Sequence, residues 1–293
     1  MQPEDRLEYE ARVRNRQVLL AAGAGVLVMV AVLVQLPGAH VKVNEQTLGL
    51  ITENKRFLLD LVGSIISALG SLALGWTLAY LFNAAKARDP RIRPSFMDRV
   101  AIGAGVIAAL AGVAAAAASG KAASDFVSHG DQTWPEANAI LHKVWVVVPE
   151  IAVPFGALLL AVSLVLVSLS AMRVGLLPRF MGYLGIIAGV LTIIPIVPIP
   201  IVEAYWLVAV AYLLSGRWPS GVPPAWATGQ AVPWPSSQQA RGARAAGRGR
   251  TPRTKPAPVP AGAPTGASGG NGAGNGARAS RSTTPKRKRK RRK

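Results

Sequence analysis

The chain has 293 residues, 51% hydrophobic and 16% charged, with 33 Lys/Arg against 14 Asp/Glu and no cysteine. That profile excludes a disulfide framework and a thiolate site, and it is too apolar and too basic for one water-soluble domain. The charge is also segregated: residues 1–215 hold 16 Lys/Arg and all 14 Asp/Glu, while residues 216–293 hold the other 17 Lys/Arg and no acid, so the formal +19 is almost wholly that of a tail.

A hydrocarbon core about 30 Å thick takes roughly 20 apolar residues of helix at about 1.5 Å each. On that measure the sequence predicts an all-α, polytopic transmembrane helix bundle of six spans over residues 18–215, preceded by a cytoplasmic segment at 1–17. The first span, Val18 to Leu36, lies in a charge-free stretch and is closed by Pro37 and Gly38. It is too long for a signal-peptide core and no small-x-small cleavage site follows, so it reads as a retained helix. The second runs from Phe57 to Phe82 with one charge, Asp60. The third, Val100 to Ser119, is mostly Ala and Gly and weakly apolar, so it needs protein neighbours. A fourth lies between Lys143 and Arg173, interrupted only by Glu150.

The last apolar region is interrupted by prolines at 195, 198 and 200, between Phe180–Ile194 and a stretch ending at Ser215. One helix cannot continue through three prolines, because each removes a backbone donor and clashes with the preceding turn. Two short helices joined by a turn at one membrane face give six spans; a single span plus a half-membrane segment would give five. With six, the cytoplasmic segments hold eleven Lys/Arg (Arg6, Arg12, Arg14, Arg16; Lys86, Arg88, Arg91, Arg93, Arg99; Arg173, Arg179) against five outside (Lys42, Lys55, Arg56, Lys121, Lys143). This excess places both termini in the cytoplasm of a plasma membrane. Trp145 and Trp218 fall at span boundaries, where indoles favour the interface.

Lipid gives little hydrophobic reward for helix association, so packing falls to small residues on one face. Gly63, Ser67, Ser71, Gly75 and Ala79 recur every four residues in the second span, Gly185 and Gly189 form a GxxxG in the fifth, and the third has Ala101/Gly105 and Ala108/Gly112. The first of these stripes is expected to lie inside the bundle.

Three acids fall at or in the apolar spans: Asp60, Glu150 and Glu203. An ionisable group at depth costs about 2.5–3.5 kcal/mol even on the lenient insertion scale, so each is a candidate site. Asp60 follows Arg56 by four residues, which an interfacial ion pair explains. Glu150 is bracketed by Pro149 and Pro154, whose freed carbonyls would make a polar pocket around the carboxyl, and Glu203 follows the triple proline. Together they would form an outward-opening proton or cation site. No HExxH, GxSxG, GxxxxGK[ST] or paired Cys/His set is present, so no catalytic residue, metal or cofactor is expected. His40, His129 and His142 read as loop histidines, and Gly120 to Lys143 as a solvated loop.

Residues 216–236 carry Trp218, Trp226 and Trp234 among prolines and read as a non-helical juxtamembrane strip at the headgroups. Residues 237–293 lack any apolar period and are expected to be a disordered polybasic tail. It ends in eight consecutive cations, Lys286, Arg287, Lys288, Arg289, Lys290, Arg291, Arg292 and Lys293. In a membrane protein their nearest polyanion is the inner leaflet. Without interleaved aromatics, any nucleic-acid binding would be non-specific.

The segments Ala171–Leu191 (AMRVGLLPRFMGYLGIIAGVL) and Gly216–Ser236 (GRWPSGVPPAWATGQAVPWPS) resemble a group of uncharacterised actinobacterial multi-pass membrane proteins. The resemblance, over about residues 10–236, implies a six-helix protein of a bacterial plasma membrane and no chemistry. The functional expectation is thus a structural or interaction role with lipid-binding by the tail. The alternative is a small-solute or ion transporter using Glu150 and Glu203, whose few helices a homo-oligomer would supplement.

Overall fold

The computed structural model describes residues 3–35, 46–93, 96–129, 131–194, 200–219 and 221–232. These fall in the first of two units of the chain, Met1–Ala240. The tail from residue 237, with its Lys286–Lys293 terminus, and the centre of the triple-proline segment at 195–199 lie outside the described residues. Every regular element described is a helix: α1 (Pro3–Gln35), α2 (Gln46–Arg88), α3 (Met97–His129), α4 (Trp134–Leu141), α5 (Val144–Arg173), α6 (Arg179–Ile193), α7 (Ile201–Leu214) and α8 (Pro224–Thr228).

Local sequence sets the ends of these helices. α2 stops at Arg88, just before Asp89 and Pro90, because the residue ahead of a proline is pushed out of helical geometry. α5 ends through Gly175, whose φ of 82° is left-handed, and the Leu176 N–H turns back to donate to the Ala171 carbonyl at 2.9 Å. That closure folds Leu176 and Leu177 into the core at the corner between α5 and α6.

Four stretches, Glu10–Gln35, Thr47–Arg88, Met97–His129 and Val144–Arg173, are long and apolar enough to cross a membrane. α6 and α7 are shorter, at 15 and 14 residues, which by rise alone reach about 22 and 21 Å of a core about 30 Å thick. The flanks of the bundle are open and apolar: Leu19 is 74% exposed, Leu58 73% and Leu110 67%. Such surface, continuous along several helices, exceeds what soluble monomers expose and is what a bilayer would cover.

The helices touch through small residues. α2 lies against α3, α3 against α5, α5 against α6, and α1 against both α2 and α7. At the α2–α3 crossing a Cβ on Gly75 would stand 2.6 Å from the Ala101 carbonyl oxygen, and one on Gly105 would stand 2.7 Å from that of Ser71. The stripe on α2 therefore divides between two partners. Ser71 and Gly75 face α3, whereas Gly63 lies where a Cβ would come within 2.9 Å of Gln35 on α1. Ser67 accepts at its carbonyl from the Ser71 hydroxyl, 3.1 Å away. On α6, Gly189 sits against the Ala161 carbonyl of α5, and Gly185 between Ser168 and the Trp206 indole.

The structure departs from the sequence reading at both ends of the bundle. The region expected to be a solvated loop is folded: α3 runs ten residues past Ser119, α4 follows, and Leu50, Ala122, Phe126, Ala137, Ile140 and Val146 make a second small core there. Lys121 and Asp125, paired at 3.0 Å on the outer face of α3, masked the apolar period of that extension. At the other end the juxtamembrane strip is not wholly non-helical. Pro224–Thr228 forms α8, and Trp226 is buried, not lying at the headgroups.

Candidate functional site

The polar feature most fully enclosed by the fold is at the end of the bundle where α1 and α3 begin and α2 ends. On α1, Glu10, Arg14 and Gln17 share a face at intervals of four and three residues, and Glu10 and Gln17 are buried. Arg88 meets this face from the last turn of α2. Its Nη1 donates to Glu10 Oε1 at 3.1 Å and its Nη2 to Glu10 Oε2 at 2.7 Å, a bidentate pair. Nη1 also donates to the Ala84 carbonyl at 2.8 Å, and Nε to the Ala225 carbonyl at 2.8 Å.

The guanidinium carbon Cζ lies 4.9 Å from the centroid of the Trp226 ring, which stacks on Tyr80 with centroids 6.0 Å apart and planes 15° apart. The Trp226 indole N–H donates to the Leu176 carbonyl at 3.1 Å. One arginine thereby joins α1, α2 and α8, and through Trp226 the α5–α6 corner. Its fork is occupied by protein acceptors, so the arrangement is a structural closure.

The sequence-derived acids gather at the opposite end. Arg56 and Asp60 form the expected i, i+4 pair, at 3.9 Å. Glu150 is exposed on α5, which stays helical through Pro149 and Pro154. It lies within electrostatic reach of Glu53 on α2, which also senses Asp60 and neighbours Ser119. Glu203, half-buried at the start of α7, neighbours Thr192 on α6, whose hydroxyl donates to the Ala188 carbonyl at 2.9 Å. The expected union of Glu150 with Glu203 is thus replaced by two separate groupings. His129 and His142 are exposed and occupied locally, by Ser128 at 2.6 Å and the Asn138 carbonyl at 2.8 Å, and His40 lies outside the described residues. Among the described residues no three His, Cys, Asp or Glu side chains converge on a metal-sized site.

A groove of about 420 Å³ runs between α1 and α7, lined by Gly25, Val26, Met29, Val30, Ile201, Ala204, Tyr205 and Val208. Its lining bears no charge and offers nothing to solvate an ion. Sequence reasoning missed Glu10, Arg88 and Trp226, and also Glu53. The available signals were the polar residues on one face of α1 and the Pro-Pro-Ala-Trp start of a helix at Pro223–Trp226, since proline is favoured in the first turn.

No family model, curated protein or solved structure matches the chain.

Proposed function

We propose that this chain is an integral protein of a bacterial plasma membrane that crosses it six times with both termini cytoplasmic. In this reading it is a scaffold that presents its polybasic tail to the anionic inner leaflet. The observation that carries the reading is the seating of Trp226 on Arg88, Tyr80 and the Leu176 carbonyl, which fixes to the bundle the last segment before the tail. Attraction of a cation to an anionic surface is worth about 1 kcal/mol and fades within a Debye length of about 8–10 Å. A tail that works by such a force gains from a fixed point of departure close to the headgroups.

Three further features support the reading. α6 packs on α7 with Thr192 near Glu203, which suits a hairpin and an even number of crossings. The Arg88 end also holds the eleven cations counted for the cytoplasmic segments. The resemblance to the actinobacterial membrane proteins agrees with it. The test is a reporter fused after Ser236: fluorescence from a cytoplasm-specific reporter is expected, and activity from an exterior-specific one would refute the topology.

One observation favours a second reading, movement of a proton or small cation. Glu203 sits in the first turn of an otherwise apolar helix, beside Thr192 of α6. Proteoliposome flux across a solute panel separates the readings, since a scaffold carries none.

A further inference from the structure

We propose that the rim of exposed arginines at the Arg88 end binds the phosphate groups of anionic membrane lipids, independently of the polybasic tail. The proposal rests on the cytoplasmic placement of that end argued above. Arg91 and Arg93 follow α2, Arg99 opens α3, Arg173 and Arg179 flank the α5–α6 corner, and Arg217 follows α7, all of them exposed. None forms an ion pair among the described residues.

Three of the acids at that end are engaged elsewhere, while Asp98, next to Arg99, keeps a buried Oδ1 without a hydrogen-bond partner. Glu10 is held by Arg88, Glu8 lies 3.8 Å from Arg12, and Asp89 accepts from the Arg91 backbone N–H at 3.0 Å. At the opposite end Arg56 and Lys121 are each paired with an aspartate. Each end of the bundle thus pairs two of its cations, and the six rim arginines stand outside those pairs among the described residues.

The kind of cation differs as well. The segments at the Arg88 end, through Arg217, carry eleven arginines and a single lysine, Lys86; the described residues at the opposite end include three lysines (Lys55, Lys121 and Lys143) and one arginine, Arg56. Orientation in the membrane requires only positive charge, which lysine supplies equally well. A planar fork of donors adds bidentate recognition of phosphate, and this is where lysine and arginine part company. Beside the rim, Phe96, Phe180, Tyr183 and Tyr212 are exposed. A phospholipid satisfies both halves of that surface, its phosphate on the guanidinium groups and its chains along the apolar flank, whereas free phosphate satisfies only the first. Nucleic acid would leave the apolar flank uncovered.

The experiment uses the full chain in discs of phosphatidylcholine with a minority of phosphatidylglycerol, reading by native mass spectrometry which lipids stay bound. The variants are R173Q/R179Q, R173K/R179K and a chain with Lys286–Lys293 all changed to Gln. All three alter exposed or terminal residues, and unchanged melting in detergent establishes that they fold. Neutralising the rim pair is expected to weaken phosphatidylglycerol preference by about fivefold per arginine. The lysine pair should fall between it and the parent, and the tail variant should keep most of the preference. Rim variants that retain the parent's preference would overturn the proposal, whatever the tail variant does. A tail variant that keeps full preference while the rim variants lose it supports the rim and removes lipid binding by the tail from the function proposed above. A lysine pair equal to the parent would overturn the role of the arginine fork.

Discussion

Replacing Arg88 by alanine should be the most damaging single change in the described part of the molecule. The substitution would strand Glu10, which is 8% exposed, as a buried charge without its partner, and would free the Ala84 and Ala225 carbonyls that Arg88 engages at 2.8 Å. Breaking a buried pair by removing one side costs about 3–5 kcal/mol, most of it the unpaired charge. Arg88→Lys keeps the charge, but one ammonium cannot hold both Glu10 oxygens and the Ala225 carbonyl, so a loss of about 1–3 kcal/mol is expected. Removing both charges, as E10L/R88L, eliminates the stranded carboxylate and should return stability to within about 2 kcal/mol of the parent. The assay is thermal unfolding in detergent, with protease cleavage at 216–232 reporting release of α8. The expected order is R88A lowest, with R88K and the double variant above it. An R88A protein that melts like the parent, or a double variant as unstable as the two single losses added together, would refute the assignment of a buried, coupled pair.

Three other outcomes follow from the geometry. Gly75→Ala puts a Cβ 2.6 Å from the Ala101 carbonyl oxygen and should cost about 1–3 kcal/mol in detergent melting, whereas Gly112→Ala, which meets nothing within 4 Å, should be neutral or better. Equal melting of the two would contradict close backbone contact between α2 and α3. The isolated tail peptide, residues 237–293, should bind anionic vesicles at low salt and release them as ionic strength approaches about 1 M, where screening acts within about 3 Å; binding that survives would indicate recognition beyond charge. If flux is found in proteoliposomes, Glu203→Gln should abolish its proton or cation coupling and Glu150→Gln should leave it unchanged; the reverse result would return the transport reading to Glu150.

The helical class and the four long helices were legible because an apolar run without charge admits few other solutions in lipid. The small-residue stripe on α2 was legible too, through its four-residue period, although the period could not tell that Gly63 would meet α1 and Gly75 would meet α3. The folded extension around Phe126 was hidden because its apolar side is narrow and its visible residues are Lys121, Asp125 and His129. In the sequence Arg88 is one cation among the five of residues 83–99. Nothing local in the sequence distinguishes an arginine that will be enclosed from one left open, since its partners are 78 residues before it and 137 after it. The pairing is a product of topology, which brings the start of α1 and the segment after α7 to the end of α2.

Depth along the helices decides which acid can serve chemistry inside the membrane. α2 is free of charge from 61 to 85, α3 from 100 to 120 and α5 from 151 to 172, stretches of about 38, 32 and 33 Å by helical rise, each enough for the hydrocarbon core. The charges that close them are Lys86, Arg99 and Arg173 at one end and Asp60, Lys121 and Glu150 at the other. Those boundaries agree from helix to helix, so in the topology proposed above Asp60 and Glu150 would stand at a membrane surface and Glu53 about 10 Å beyond it, in the part of the fold that has its own small core. At a surface a carboxylate stays hydrated and escapes most of the insertion cost, so its presence calls for no special function. Glu203 differs. Only 204–216 separate it from Arg217, about 21 Å of rise, so a slab about 30 Å thick that begins at Arg217 would extend some 9 Å past its carboxyl. A membrane that tightens around the short α6–α7 pair would bring Glu203 to the surface, and one that does not leaves it inside the core with Thr192 for company. Thickness of the host bilayer is therefore the variable that separates an inert boundary residue from a working one, and proteoliposomes made from lipids of increasing chain length test it directly.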